Sequence, residues 1–298
     1  MSAQPRIGFL GLGIMGGPMA HRLLSAGFET AVYTRGLASA PERKIPFLDA
    51  GARVCETPAE AAAGADVILS VVTDSPDVEA VLLGEHGAAA GARPGALFID
   101  MSTIDPAAAR AISGRLVARG MRFLDAPVTG GDVGARTGAL SILVGGDAAD
   151  LDRARPVFDV LGKRITHCGP VGAGQAMKAC NQILCALNMI GVVEAMHLAE
   201  ANGLDRTQLV EALSAGAGGS WALEKLGPRI AAADFAPGFM VRLIQKDLRI
   251  VQNMAAEAGL PLDGTALAQR NFADNEANDE AALGTQAMWK VLARRRGK

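Results

Sequence analysis

The sequence predicts an α/β domain over residues 1–167 followed by an all-α domain over residues 168–298. Three observations carry this expectation. Short, β-rich apolar runs alternate with helix-spaced segments through the first half, the pattern of βαβ units around a parallel sheet. A glycine-rich turn closes the first of those runs. Beyond "RITHCGPVGAG" (164–174) the strand pattern stops and helical spacing takes over.

The elements follow in order. Strands are expected at "RIGFLG" (6–11), "TAVYTR" (30–35), "ADVILSVV" (65–72), "GALFIDMS" (95–102), "RFLDAPV" (122–128) and "LSILVGG" (140–146). The central ones are nearly continuous apolar runs, as parallel strands covered on both faces should be. "PMAHRLLSAGF", "PAEAAAGA" and "AAARAISGRLVARG" between them have helical spacing. In the second half one long helix is expected from Gln175 to about Asn202, stopped by Gly203. "DRTQLVEALSAG", "WALEKLGPRIA", "RLIQKDLRIVQNMAAEAG" and a segment through "TQAMWKVLARR" follow as further helices. Asp205 with Gln208 three residues on reads as an N-cap and its partner.

Composition narrows the function classes. Half of the 298 residues are apolar, a fifth are charged and the formal net charge is -2. That suits packed globular domains and gives no electrostatic footprint for nucleic acid or a membrane surface. The basic ending "ARRRGK" is expected to be a solvated tail. A strand-like run from Arg6 leaves no space for a signal peptide. The apolar stretch "ILCALNMIGVVEAM", interrupted by Asn188 and Glu194, falls short of a membrane span. Cys55, Cys168, Cys180 and Cys185 form no CxxC pair and share no metal-ligand spacing with the four histidines. We therefore expect no metal, reduced and mostly buried thiols, and a cytoplasmic location.

"GLGIMG" (11–16) is a GxGxxG motif placed between a strand and a helix that begins near Met15 or Pro18. Gly11 permits the tight turn, Gly13 lets backbone approach a pyrophosphate, and Gly16 lets helix and strand pack closely. Leu12, Ile14 and Met15 complete the loop, whose helix N–H groups face the phosphates. The motif implies a Rossmann-type dinucleotide-binding domain. An NAD site usually places Asp or Glu at the end of the second strand. Here that end reads Thr34, Arg35, Gly36, with no carboxylate. Arg35 is either a solvated turn residue or a partner for a 2′-phosphate. NADP is the expected cofactor, with NAD possible.

Five stretches, in order, carry a family resemblance: "FLGLGIMGGPMA" (9–20), "IDMST" (99–103), "DAPVTGG" (125–131), "GAGQAMKACNQ" (172–182), and "FAPGF" (235–239) with "KDL" (246–248). Nearly end to end, the chain resembles the β-hydroxyacid dehydrogenases, which include 3-hydroxyisobutyrate dehydrogenase and tartronate semialdehyde reductase (2-hydroxy-3-oxopropionate reductase). The resemblance implies a Rossmann domain followed by an all-helical substrate and oligomerisation domain, as in 6-phosphogluconate dehydrogenase. It implies an NAD(P)-dependent oxidoreductase interconverting a small 3-hydroxy acid and its semialdehyde.

The family's proton-transfer lysine falls on Lys178, with Asn181 three residues on to orient the lysine or the reacting oxygen. The positive end of the helix and partial burial both disfavour an ammonium there, so the pKa is expected to fall into the range of a general acid/base. Thr129, Gly130 and Gly131 correspond to the cradle for the substrate carboxylate, although by spacing alone "TGG" also reads as a plain turn. Thr103 corresponds to a cofactor-contacting position, and Ser102 precedes it on the substrate side. Gln182 stands where many relatives have a second asparagine. Lys246 matches a lysine that reaches the cofactor; without the resemblance it reads as solvated. Gln286 replaces a commonly acidic residue, which leaves the substrate open. Residues 216–226, with Ser220 and Trp221, are expected to shape the distal pocket.

Two other readings remain. One is an imine reductase-like enzyme, a group that usually lacks the lysine; the other is a non-catalytic, cofactor-binding oligomeric module. A homodimer or homotetramer acting on a small carboxylate is expected, with no nucleic-acid or membrane partner.

Overall fold

The computed structural model of the chain describes residues 4–36 and 40–297. They form two compact units, Met1–Lys178 and Ala179–Lys298. The first contains β1 (Ile7–Leu10), α1 (Gly16–Ser25), β2 (Thr30–Tyr33), α2 (Pro41–Asp49), β3 (Arg53–Val54), α3 (Pro58–Ala62), β4 (Val67–Ser70), α4 (Ser75–Leu83) and α5 (Ala88–Gly91). It continues with β5 (Leu97–Asp100), α6 (Pro106–Val117), β6 (Arg122–Asp125), β7 (Val128–Thr129), α7 (Gly131–Thr137), β8 (Leu140–Gly145), α8 (Ala148–Leu161) and β9 (Gly162–Gly169).

Among the described residues the strands form one sheet in the order β3-β2-β1-β4-β5-β6-β8-β7, with β9 paired to β8. From β3 through β6 every pairing is parallel. Strand β8 runs antiparallel to β6 and β7, then parallel to β9. Alternation along the strands builds two cores. Phe9, Leu69, Ile99 and Leu124 pack on one face with Met19, Leu23 and Phe158. Leu10, Ile68, Phe98 and Phe123 pack on the other with Leu82 and Leu116. Both faces being covered is why these strands read as unbroken apolar runs.

Several expectations change. The run expected as one strand over 122–128 is two, β6 and β7, with Pro127 between them; proline has no N–H for the ladder. Strand β9 was not expected, because its Lys163, Arg164, Thr166 and His167 break the apolar pattern and are exposed. Helix α8 was also missed, although Asp147 caps it and Leu151, Ala154, Val157, Phe158 and Leu161 lie on its buried face.

Helix α9 (Ala173–Ala201) runs through the change of pattern, and the division into units falls within it. By length and composition alone this helix is long and apolar enough to cross a membrane, which the interrupted run from Ile183 had not suggested; half of its most apolar stretch is buried inside the protein. The second unit continues with α10 (Arg206–Leu213), α11 (Trp221–Ala231), α12 (Val241–Glu257), α13 (Asp263–Ala277), a 3-10 turn (Thr285–Ala287) and α14 (Met288–Arg295). Asp205 caps α10 by accepting from the Gln208 N–H at 2.9 Å, and Ser220 caps α11 through the Leu223 N–H at 3.0 Å. Val193, Met196, Ile244, Leu248, Phe272 and Met288 fill this unit's core.

Two further readings are corrected in part. The arginines of the basic ending have partners within the helical unit, although Arg295 and Arg296 are exposed as expected. Arg294 pairs with Asp274 and Glu280, Arg295 donates to Asn271, and Arg296 pairs with Glu200. Lys298 lies outside the described residues. The four cysteines are free thiols, but only Cys55 is buried, whereas Cys180 and Cys185 are exposed on α9.

Candidate functional site

The parallel strands β1, β4, β5 and β6 end at one edge of the sheet, and β1 sits between β2 and β4, where the strand order reverses. Ligands of open α/β sheets bind outside such carboxyl ends. The glycine loop lies there. Gly11 has φ +98°, and a Cβ on it would run into the Val71 carbonyl oxygen. A Cβ on Gly16 would collide with the Gly11 carbonyl, so this glycine sets how closely α1 approaches the strand. Gly13 faces open space. Its lack of a side chain serves nothing inside the protein, which is what a backbone position reserved for a ligand requires. No side chain caps α1. Within its first turn Gly17 N–H donates to the Gly13 carbonyl at 2.9 Å and Pro18 has no N–H, so the loop fits a pyrophosphate through the amides ahead of Gly17.

Thr34 follows β2 half-buried, and Arg35 is 85% exposed in its side chain while pairing with Asp77 of α4 at 2.9 Å. Beyond β5, Asp100 organises the next loop. Its Oδ1 accepts from the hydroxyls of Ser70 at 2.8 Å and Ser102 at 2.7 Å, and the Ser102 hydroxyl accepts from the Val72 N–H at 2.9 Å. Ser102 therefore has its hydroxyl committed within the protein, while Thr103 beside it is half-buried. Burial pushes the Asp100 carboxyl up to about 6, against the pull of both serine hydrogen bonds and with a small push from Asp125. Its Oδ2 has no hydrogen-bond partner.

Asp125, the register partner of Asp100, closes β6. Burial pushes its carboxyl up as well, opposed by N–H donors from Gly172 and Gln175. Thr129 ends β7 half-buried, and Gly130 and Gly131 follow with φ +128° and +63° as α7 begins. A Cβ on Gly131 would meet nothing, so this turn too presents backbone to open space. Lys178, the sixth residue of α9, is 7% exposed.

The second unit gathers the remaining residues. Asn181 donates to the Gln182 Oε1 at 2.8 Å, Gln182 donates to Asp247 at 2.5 Å, and Lys246 pairs with Asp247 at 2.8 Å. Gln182 and Lys246 are thus joined through a buried carboxylate rather than solvated. Ser220 serves as a helix cap and Trp221 is exposed. Gln286 is buried, donating to the Asp234 and Ala236 carbonyls, so its amide holds a loop of the helical unit. Among the described residues no cluster of three or more His, Cys, Asp or Glu is arranged to hold a metal ion.

Residues 6–169 match the NAD binding domain of 6-phosphogluconate dehydrogenase, and residues 172–292 match the NAD-binding domain of NADP-dependent 3-hydroxyisobutyrate dehydrogenase. The chain belongs to the β-hydroxyacid dehydrogenase family. The 2-hydroxy-3-oxopropionate reductase of Escherichia coli is 40% identical over 96% of this chain and 97% of its own. The NAD-dependent L-serine dehydrogenase of Pseudomonas aeruginosa is 42% identical over 88% of this chain and 90% of its own. The structure of the Mycobacterium tuberculosis 3-hydroxyisobutyrate dehydrogenase with L-serine superimposes with a TM-score of 0.86 at 35% identity, covering 97% of this chain and 99% of that one. This β-hydroxyacid dehydrogenase is accordingly an NAD(P)-dependent dehydrogenase or reductase with a Rossmann domain and a helical C-terminal domain.

Sequence reasoning passed over Asp100, Asp125, Gln175 and Asp247. All four stand inside the quoted motifs, but a buried carboxylate or amide shows its partner only once the chain is folded.

Asp100 gives a pH test. Its folded value, about 6, lies above the ordinary 3.8. Between those values the folded chain keeps a proton that the unfolded chain releases, so stability falls as pH rises through that window. Above it the full cost, up to roughly 3 kcal/mol, is present. Asp100→Asn keeps an oxygen for the two serines and never ionises. Its stability relative to wild type, from urea midpoints, should rise from pH 4 to pH 7 and then level. A difference independent of pH would show that Asp100 does not titrate in that window.

Proposed function

We propose that the enzyme interconverts a small 3-hydroxy acid and its semialdehyde, of the 3-hydroxyisobutyrate or tartronate semialdehyde type, with NADP preferred over NAD. The observation that carries this reading is Lys178, buried on the helix whose preceding turn binds the loop after β5, in a chain whose relatives act on small hydroxy acids. When bound, the dinucleotide takes or returns the hydride. The protein has to handle the proton. In the oxidative direction Lys178 Nζ takes the proton of the 3-hydroxyl; in reduction it returns one to the carbonyl oxygen. Asn181, one turn further along α9, orients the reacting oxygen. Thr129 and the Gly130 and Gly131 amides hold the carboxylate. Ser102 and Gln182 are assigned to the substrate, Ser102 acting through its loop because its hydroxyl is engaged. Gly11, Leu12, Gly13, Ile14, Met15, Gly16, Thr34, Arg35, Thr103 and Lys246 serve the cofactor.

We assign residues 1–167 to the cofactor domain and 168–298 to a helical domain that also assembles a homodimer or homotetramer. A cytoplasmic location goes with this reading. Burial of half of the apolar stretch of α9 favours a packed helix over a membrane-spanning one.

The reading is tested with NADPH, following absorbance, against tartronate semialdehyde, succinic semialdehyde, glyoxylate and a cyclic imine, and in reverse with NADP and 3-hydroxyisobutyrate or L-serine. A semialdehyde should be reduced and the imine ignored. Lys178→Ala should lose at least about a hundredfold in kcat and still bind NADPH. Near-normal turnover in that folded variant would remove Lys178 from the reaction.

Cofactor preference rests on Arg35. Its pairing with Asp77 is exposed and solvent-screened, worth about 0.2–1 kcal/mol. A charge-assisted bond to a 2′-phosphate contributes roughly 1.5–3 kcal/mol, so the phosphate wins the guanidinium. Wild type should bind NADPH more tightly than NADH. Arg35→Ala should weaken NADPH alone, by about one to two powers of ten. Equal affinity of wild type for both cofactors would overturn the NADP assignment.

A further inference from the structure

The first turn of α9 is held more elaborately than a helix start requires. The carboxylate of Asp125, wholly buried, accepts from the Gly172 N–H at 2.7 Å on Oδ1 and from the Gln175 N–H at 2.9 Å on Oδ2. A carboxylate at a helix N-terminus satisfies orphan amides and meets the positive end of the helix dipole. Gly174 lets the helix come this close: a Cβ there would sit 2.8 Å from the Asp125 carbonyl oxygen and 2.9 Å from its Oδ2. Gln175 then reaches out from the helix. Its Oε1 accepts from the Ile104 N–H at 3.1 Å, and its Nε2 donates to the Ser102 carbonyl at 2.8 Å. At 1% exposure its amide bridges α9 to the loop that carries Ser102 and Thr103. Lys178 stands three residues after Gln175, on the same side of the helix one turn up.

We propose that Asp125 and Gln175 are positioning residues that fix Lys178 against the 102–104 loop, so that its amine meets the reacting oxygen at a set place. Asp125 fixes how far α9 reaches toward the sheet; Gln175 fixes its rotation by pairing with the loop on both sides of Thr103. The inference rests on the reading of Lys178 as the proton-transfer group. Misplacing such a group by about 1 Å costs on the order of a hundredfold in rate, whereas the cofactor loop after β1 has no part in these bonds.

Gln175→Leu removes both loop contacts, and Gln175→Glu keeps the acceptor for Ile104 while replacing the donor to Ser102 with an oxygen. Gln175→Leu should lower kcat roughly 10- to 100-fold, a larger factor than its effect on NADPH affinity, measured by fluorescence titration, because of the assigned cofactor residues only Thr103 adjoins the lost bonds. Gln175→Glu should show a deficit that shrinks as pH falls, because the protonated carboxylic acid regains a donor for the Ser102 carbonyl. In the Lys178→Ala background, Gln175→Leu should have little further effect on kcat. Wild-type turnover in a folded Gln175→Leu, a Gln175→Glu deficit that pH does not change, or an undiminished further loss in the double variant would each overturn the positioning role. An active Lys178→Ala, by contrast, removes the lysine reading itself. Should Gln175→Leu fail to fold, the near-isosteric Gln175→Glu and its pH profile decide the question.

Discussion

The bidentate grip of the Asp125 carboxylate on the N–H groups of Gly172 and Gln175 is the contact that fixes the start of α9 against the sheet of the first unit. A buried carboxylate is costly unless its oxygens are bonded. Here the donors are the N–H of Gly172, just before the helix, and that of Gln175 in its first turn, where an amide has no intrahelical partner. Each side of the contact thus offsets part of the other's penalty. The geometry leaves little freedom, since Gly145 and Gly174 both face Asp125 where a Cβ would have no space. These glycines answer to packing inside the protein, unlike Gly13, which faces open space.

The same sheet edge carries a second buried carboxylate with a different job. Asp100 draws in Ser70 and Ser102, and Ser102 draws in the Val72 amide, so the ends of β4 and β5 are tied by side chains where the ladder stops. Gln175 joins that loop to α9. The helical unit uses the same device once more. Asp247 sits between Gln182 and Lys246, which turns two polar residues of an apolar bundle into a bonded network.

The parallel strands, the long helix and the Asp205 cap were legible because each has a local signal: an apolar run, a 3.6-residue period, a capping pair. Strand β9 was not, because an edge strand carrying Lys163, Arg164 and His167 lacks the apolar run that marked the buried strands. The glycine loop, "DAPVTGG" and Lys178 could be singled out from the sequence, as could the family to which the chain belongs. What could not be read was which polar groups inside those motifs hold the others. Asp125 and Gly172 are 47 residues apart and Gln182 and Asp247 are 65 apart, and no period in the sequence couples them. For the same reason the partners of the exposed, arginine-rich ending, Asp274, Glu280 and Glu200, could not be read from the sequence.

The most direct test is a crystal structure of the enzyme with NADP and a 3-hydroxy acid it oxidises slowly. Lys178 Nζ should lie within hydrogen-bond distance, about 2.6–3.2 Å, of the 3-hydroxyl, with the Asp125 and Gln175 bonds to α9 and the 102–104 loop unchanged. A 3-hydroxyl facing some other titratable side chain, with Lys178 out of reach, would contradict the assignment of the proton path.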